Sequence, residues 1–160
     1  MDDDVLHGYL QHHWVGSTGG VSLFHRVART HPDPLVAATV GEIAGEVAAE
    51  RETLRTIMSI VGVTPSRLGA LTARTGELLG RLKPNGHLLT RSPLTDVVEV
   101  EALRIAVSGK HAGWQLLRSV ADADPRLDPV LLDDLVQLAE SQLDRLEQAH
   151  LGIARKRLLT

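Results

Sequence analysis

Residues 35–61 read LVAATVGEIAGEVAAERETLRTIMSIV, and the pattern of this stretch decides the fold. Its apolar residues recur in alternating steps of four and three, which is the spacing of a seam along one face of a helix. Glu50 lies near the middle of this seam, although burying a carboxylate is costly unless it is paired or bound to a metal. The stretch therefore predicts a helix from about Pro34 to Val61 that packs against other helices and buries one carboxylate. The seam consists of Val36, Val40, Ile43, Val47, Glu50, Leu54, Ile57 and Val61.

Three other segments show a similar apolar rhythm, each with one polar residue near the middle of its apolar face. We predict helices from about Asp3 to Arg29, from Pro93 to Ala121 and from Asp128 to Leu158. No segment shows the strict alternation of a β-strand, so the sequence predicts an all-α fold. The polar residues of the four faces are His13, Glu50, Lys110 and Gln142.

The composition fits a single helical domain over residues 1–160. Hydrophobic residues make up 43% of the chain, which is enough to build a core, and cysteine is absent, which excludes disulfides and thiolate metal sites. The net charge of −3 argues against nucleic-acid binding. No apolar run is long enough to span a membrane, and the acidic start is unlike a secretory signal. With arginine far commoner than lysine, as in GC-rich genomes, we expect a cytoplasmic bacterial protein.

The four polar residues are expected to lie at similar heights in a bundle. A short break near residue 32 places His13 and Glu50 at nearly the same distance from the turn, and a turn near residue 125 places Gln142 within about one helical turn of the height of Lys110. The two pairs match better in height if the second helix and the Pro93–Ala121 helix run parallel, which requires a connection as long as the bundle. Residues 62–92 can supply this crossover, with a shorter helix over about 65–82.

This arrangement resembles the ferritin-like four-helix bundle, in which two antiparallel helix pairs are joined by a long crossover. The runs YLQHHWVGSTGGV at 9–21 and EALRIAVSGK at 101–110 also look similar to uncharacterised actinobacterial members of that superfamily. The di-iron proteins of the superfamily use a Glu from each of two helices and a Glu-x-x-His from each of the other two. The resemblance therefore raises the question of a metal centre.

The sequence contains only part of such a ligand set. The run from Glu147 to His150 has the Glu-x-x-His spacing, but Glu50 is followed three residues later by Thr53 instead of His. Lys110, at the middle of its helix, would repel a metal ion. We therefore expect no metal cofactor, and a di-iron or di-manganese carboxylate oxidoreductase or metal-binding protein is the alternative. That alternative ligand set is Glu50, Glu101, Glu147 and His150.

A polar layer without metal accounts for more of the pattern. Lys110 would supply the positive charge of a metal and pair with Glu50, while His13 and Gln142 would fill the remaining hydrogen bonds. Alternatively, Lys110 does not pair with Glu50, and its long side chain extends to the edge of the bundle. We expect a non-catalytic interaction or small-ligand-binding protein. A third possibility is catalysis by the Lys110 amine in a pocket.

The predicted Pro93–Ala121 helix carries a second apolar strip beside a track of small residues. Either the crossover helix covers this strip, or the strip forms a homodimer surface. Gly16 and Gly20 of the first predicted helix are four residues apart and could let another helix approach closely, so their face is a second possible homodimer surface. The apolar face predicted for that helix consists of Leu6, Leu10, His13, Ser17, Gly20, Phe24 and Ala28. The strip consists of Leu94, Val98, Ile105 and Leu116, and the small residues are Ala102, Ala106, Gly109 and Gly113.

Overall fold

The computed structural model describes residues 2–66 and 92–159, and within these ranges the chain forms four α-helices and no strand. They are α1 (Asp3–Thr30), α2 (Pro34–Ile60), α3 (Pro93–Ala121) and α4 (Pro129–Leu158). The all-α prediction is confirmed for these residues, and the ends predicted for these four helices each lie within one residue of the observed ends. The crossover predicted for about 62–92, including its helix over 65–82, lies mostly outside the described residues.

Each helix begins at a capping side chain. Asp2, Asp33 and Asp128 each accept two backbone N–H groups at the start of α1, α2 and α4, and Ser92 accepts one at the start of α3. These bonds satisfy N–H groups that have no partner within the helix. Proline, which needs no partner for its nitrogen, follows the cap in α2, α3 and α4. The short polar breaks therefore set where the helices begin.

Contacts near the helix ends define the directions of the helices. His7 in the first turns of α1 bonds the carbonyl oxygen of Val61, just beyond α2, at 3.1 Å, so α1 and α2 are antiparallel. Arg26 near the end of α1 pairs with Glu99 near the start of α3 at 2.7 Å, so α1 and α3 are also antiparallel. It follows that α2 and α3 run parallel. The described residues on either side of the 67–91 gap therefore lie at opposite ends of the bundle.

The core is aliphatic and follows the predicted seams of α2, α3 and α4. All eight seam positions of residues 35–61 are buried, including Glu50. The apolar face predicted for α1 is not fully buried. His13, Ser17 and Gly20 on this face are only half-buried and face a cavity. Across residues 2–66 and 92–159, no helix combines the length and apolar character needed to cross a membrane.

Candidate functional site

Three of the four predicted polar residues meet in the core. Lys110 Nζ on α3 donates to Glu50 Oε1 on α2 at 2.5 Å and also to Gln142 Oε1 on α4. Gln142 Nε2 donates to Glu50 Oε1 at 2.7 Å. Glu50 is 3% exposed and Gln142 is fully buried. These three side chains close a hydrogen-bonded triangle between three helices.

Three further residues extend this triangle, and the sequence did not single them out. The indole nitrogen of Trp114 donates to Glu50 Oε2 at 3.1 Å. Gln142 Nε2 also donates to Glu46 Oε2 at 3.0 Å, and Arg145 clamps Glu46 with hydrogen bonds of 2.5 and 3.0 Å. The only sequence signal was the four-residue spacing of Glu46 and Glu50, which places them on one side of α2. We call these six side chains the polar layer: Glu46, Glu50, Lys110, Trp114, Gln142 and Arg145.

The polar layer is balanced in charge, with two carboxylates facing an ammonium and a guanidinium. Burial lowers the pKa of Lys110 below its usual value, although the nearby Glu50 carboxylate opposes this shift. Burial raises the pKa of Glu46, but hydrogen bonds from Arg145 and Gln142 outweigh it, so the net pKa is lowered. Each charge in the layer therefore has an opposite charge beside it, as a buried ionic group requires.

His13 lies outside the hydrogen bonds of the polar layer. Its ring packs against Gly113 of α3, where an added Cβ would stand 2.7 Å from the ring carbon Cε1, and against Tyr9, with ring centroids 4.6 Å apart. Burial, together with the neighbouring His12, lowers the pKa of His13, so the ring is neutral at pH 7. We expected His13 to complete the polar layer. The ring packs against α3 instead, because Gly113 has no side chain and leaves room for it.

A cavity of about 530 Å³ opens between α1 and α3, and part of the polar layer forms one of its walls. Leu10, Leu23 and Phe24 give it an apolar lining, while His13 and Lys110 supply polar groups. Cavities of this size with a mostly apolar lining and a few polar groups are typical of small-molecule sites. Small residues from both helices hold the cavity open: Gly16, Gly20, Ala102, Ala106, Gly109 and Gly113.

Arg51 fixes a positive charge at the wall of this cavity. Its guanidinium lies over the Trp14 ring, 3.7 Å from the ring centroid, and donates to Thr18 Oγ1 at 3.0 Å. Cation–π contact and the hydrogen bond both restrain the long side chain. The wall is therefore fixed by packing between α1 and α2 before any ligand arrives.

The structure does not bring the alternative metal ligands together. Glu50 and Glu101 line the cavity, whereas Glu147 and His150 bond Arg104 at 3.2 and 2.9 Å. In the described part of the chain, no group of three or more His, Asp and Glu side chains is placed to hold a metal ion. Glu147 and His150, the Glu-x-x-His residues of α4, thus bond Arg104 of α3 at the surface.

Three of the four residues in the second apolar strip of α3 are exposed in the described structure, and Val98 is half-buried. Leu94 is 64% exposed and Ile105 61%, and Ile105 also lines the cavity. The crossover residues that we expected to cover this strip lie outside the described ranges. Gly16 and Gly20 face the cavity, and an added Cβ at either would meet open space. A homodimer through either surface stays a prediction.

No protein-family model matches this chain, and no curated protein or solved structure matches it either. The ferritin-like resemblance thus depends on the helix pattern and on the two quoted runs alone.

Proposed function

We propose that this chain is a metal-free, ferritin-like bundle that binds a small, largely apolar molecule in the cavity between α1 and α3, without catalysis. The observation that carries the proposal is the cavity of about 530 Å³, with glycine and alanine on both sides and the polar layer in its wall. Pockets for small molecules span roughly 300–1,000 Å³, so the space suits a ligand of ordinary size.

The helix directions support the ferritin-like part of the proposal. The α1–α2 and α3–α4 pairs are each joined by a short connection, and α2 runs parallel to α3. A crossover over about residues 62–92 would join two such antiparallel pairs. In place of a metal ion at the centre, Lys110 supplies the positive charge that Glu50 faces at 2.5 Å.

The balanced charges of the polar layer indicate a neutral ligand. Arg51 at the cavity wall is also already paired, because its guanidinium lies 3.9 Å from the Glu52 carboxylate. An additional buried ion would therefore compete with existing pairs for a counter-ion, which is costly in an apolar cavity. His13 offers a neutral ring whose nitrogens have no hydrogen-bond partner among the described residues. Such a ring provides one donor and one acceptor. We therefore expect a ligand with an apolar body and a single hydroxyl or carbonyl group.

Blocking the cavity should abolish binding without unfolding the chain. An added Cβ at Gly20 meets open space and Gly20 lines the cavity, so Gly20→Leu should fill the site. We expect the wild-type chain to bind the neutral dye phenylnaphthylamine at one site per chain and octanol to displace it. Gly20→Leu should weaken binding by at least about tenfold, or roughly 1.4 kcal/mol. Fluorescence titration measures both affinities.

The matched control is Gly45→Leu on α2. Gly45 also has open space around an added Cβ, but it is exposed and does not line the cavity. Both variants replace a helical glycine, so both should retain or gain helix stability. Equal dye affinity in the two variants would show that the dye binds elsewhere and would defeat the proposed role of the cavity.

Metal analysis separates the proposal from the di-metal alternative. Protein made with iron and manganese available should carry far less than one metal ion per chain, because Lys110 occupies the position beside Glu50. Elemental analysis of wild type, Glu50→Ala and the exposed control Glu42→Ala provides the measurement. Stoichiometric metal that is lost only in Glu50→Ala would favour the oxidoreductase.

A further inference from the structure

We infer that Lys110 is a covalent attachment site, where the lysine amine forms an imine with an apolar aldehyde held in the cavity. This inference rests on the proposed binding role of the cavity and adds the chemical class of one ligand. Three observations support it: Lys110 lies in the cavity wall, its neighbours in the polar layer can transfer protons, and the protonated imine would keep the positive charge of the ammonium.

Lys110 is the lysine that the structure places in an apolar cavity. Its side chain is 17% exposed and lines the space between α1 and α3. Two of its three N–H groups go to Glu50 and Gln142, which leaves one position on the nitrogen without a described partner. Lys156, by contrast, is 57% exposed and pairs with Asp33, and Lys83 lies outside the described residues.

The surroundings of Lys110 suit the chemistry of an amine nucleophile. Only the neutral amine attacks a carbonyl carbon, and burial, which lowers the pKa of Lys110, favours that form. Glu50 Oε1, 2.5 Å from Nζ, is placed to accept the proton that the ammonium gives up. The same carboxyl can return a proton to the hydroxyl of the carbinolamine, which then leaves as water.

The reaction balances in atoms and in charge. The nitrogen lone pair forms a bond to the aldehyde carbon, the carbon–oxygen bond breaks, and the oxygen leaves as water with two protons from nitrogen. The ammonium and the aldehyde thus give a protonated imine and one water. The imine keeps one positive charge and one N–H, which can still donate to Glu50. The polar layer therefore remains balanced, so attachment buries no unpaired charge.

The cavity wall restricts the aldehyde to an apolar one. The small residues beside Lys110, Gly109 and Gly113 on α3 and Gly16 and Gly20 on α1, leave room for an alkyl or ring system. A hydrophilic aldehyde such as a sugar would lose hydrogen bonds to water without finding replacements there. Polar aldehydes should therefore show no preference for Lys110.

Reductive trapping with octanal tests the inference on the full wild-type chain. Octanal and sodium cyanoborohydride convert the imine to a stable secondary amine, and peptide mapping by mass spectrometry measures the modified fraction at each lysine. At low octanal and neutral pH, we expect about tenfold more modification at Lys110 than at the more exposed Lys156. Octanol, which occupies the cavity without reacting, should suppress modification at Lys110 and leave Lys156 unaffected.

Two glycine variants test whether modification of Lys110 requires the open cavity. Gly20→Leu should reduce modification at Lys110 alone, whereas Gly45→Leu should leave both lysines as in wild type. Equal or greater modification at Lys156 than at Lys110, or no suppression by octanol, would overturn the inference. If octanol displaces the dye but Lys110 stays unmodified, the imine is excluded and the binding role stands. If neither dye nor octanol binds, both proposals fail.

Discussion

Replacing either Glu50 with Gln or Lys110 with Met should lower the free energy of unfolding by about 3–5 kcal/mol, because each change removes one charge of a buried pair and leaves the polar layer with an uncompensated charge. The two groups are 2.5 Å apart, and Glu50 is 3% exposed. The double variant removes both charges and should lose much less than the sum of the single changes. Urea unfolding of the wild type, both single variants and the double variant gives the coupling, which we expect to exceed about 2 kcal/mol.

The exposed pair Glu52–Arg55 on α2 is the matched control. These side chains are 2.8 Å apart but both are more than half exposed, so their coupling should stay below about 1 kcal/mol. If the losses at Glu50 and Lys110 simply add, the buried contact contributes nothing specific, and the account of the polar layer is wrong.

Replacing Gln142 with Glu should destabilise the fold by about 4 kcal/mol at pH 7, and the loss should shrink towards pH 4. Gln142 Nε2 donates to both Glu46 and Glu50, so a carboxylate in its place would face two others. The introduced carboxyl has to stay protonated to fit, which raises its pKa in the folded state. Keeping it protonated costs about 1.4 kcal/mol per pH unit above the ordinary glutamate pKa near 4.3. Because the folded pKa is raised, the penalty is full at high pH and disappears below the unfolded pKa.

Gln137→Glu makes the same chemical change at an exposed position of α4. Its effect should stay within about 0.5 kcal/mol at both pH values. Thermal melts of the two variants across this pH range provide the comparison. A pH-independent loss in Gln142→Glu would indicate lost packing instead of repulsion between carboxylates.

The helices were predictable because their signals are local. The four-three rhythm of residues 35–61 identified every buried seam position of α2, and prolines after polar caps marked where α2, α3 and α4 begin. The similar heights of Glu50, Lys110 and Gln142 followed from counting residues from each turn. Height along an axis is additive in sequence, so this count succeeded without knowledge of the side-chain packing.

The cavity was not predictable, because it depends on the orientation of α1 about its own axis and on which facing positions are occupied by glycine or alanine. The rhythm of α1 placed His13, Ser17 and Gly20 on a core face, whereas the structure turns them towards an open space. The position of His13 depends on a glycine of α3 that lies 100 residues later in the chain. Arg145 was missed for a similar reason, since its partner Glu46 lies on another helix.

The hydrogen bonds that Gln142 makes to two carboxylates also determine how the helices are aligned along the bundle. An aliphatic interface tolerates displacement by a turn, because one leucine or valine replaces another at little cost. A slide of α4 along α2 by one turn, about 5.4 Å, would instead separate Gln142 from Glu46 and Glu50 at once. The side-chain amide of Gln142 thus selects one register of α4 against α2 from several that the apolar helix surfaces alone would permit.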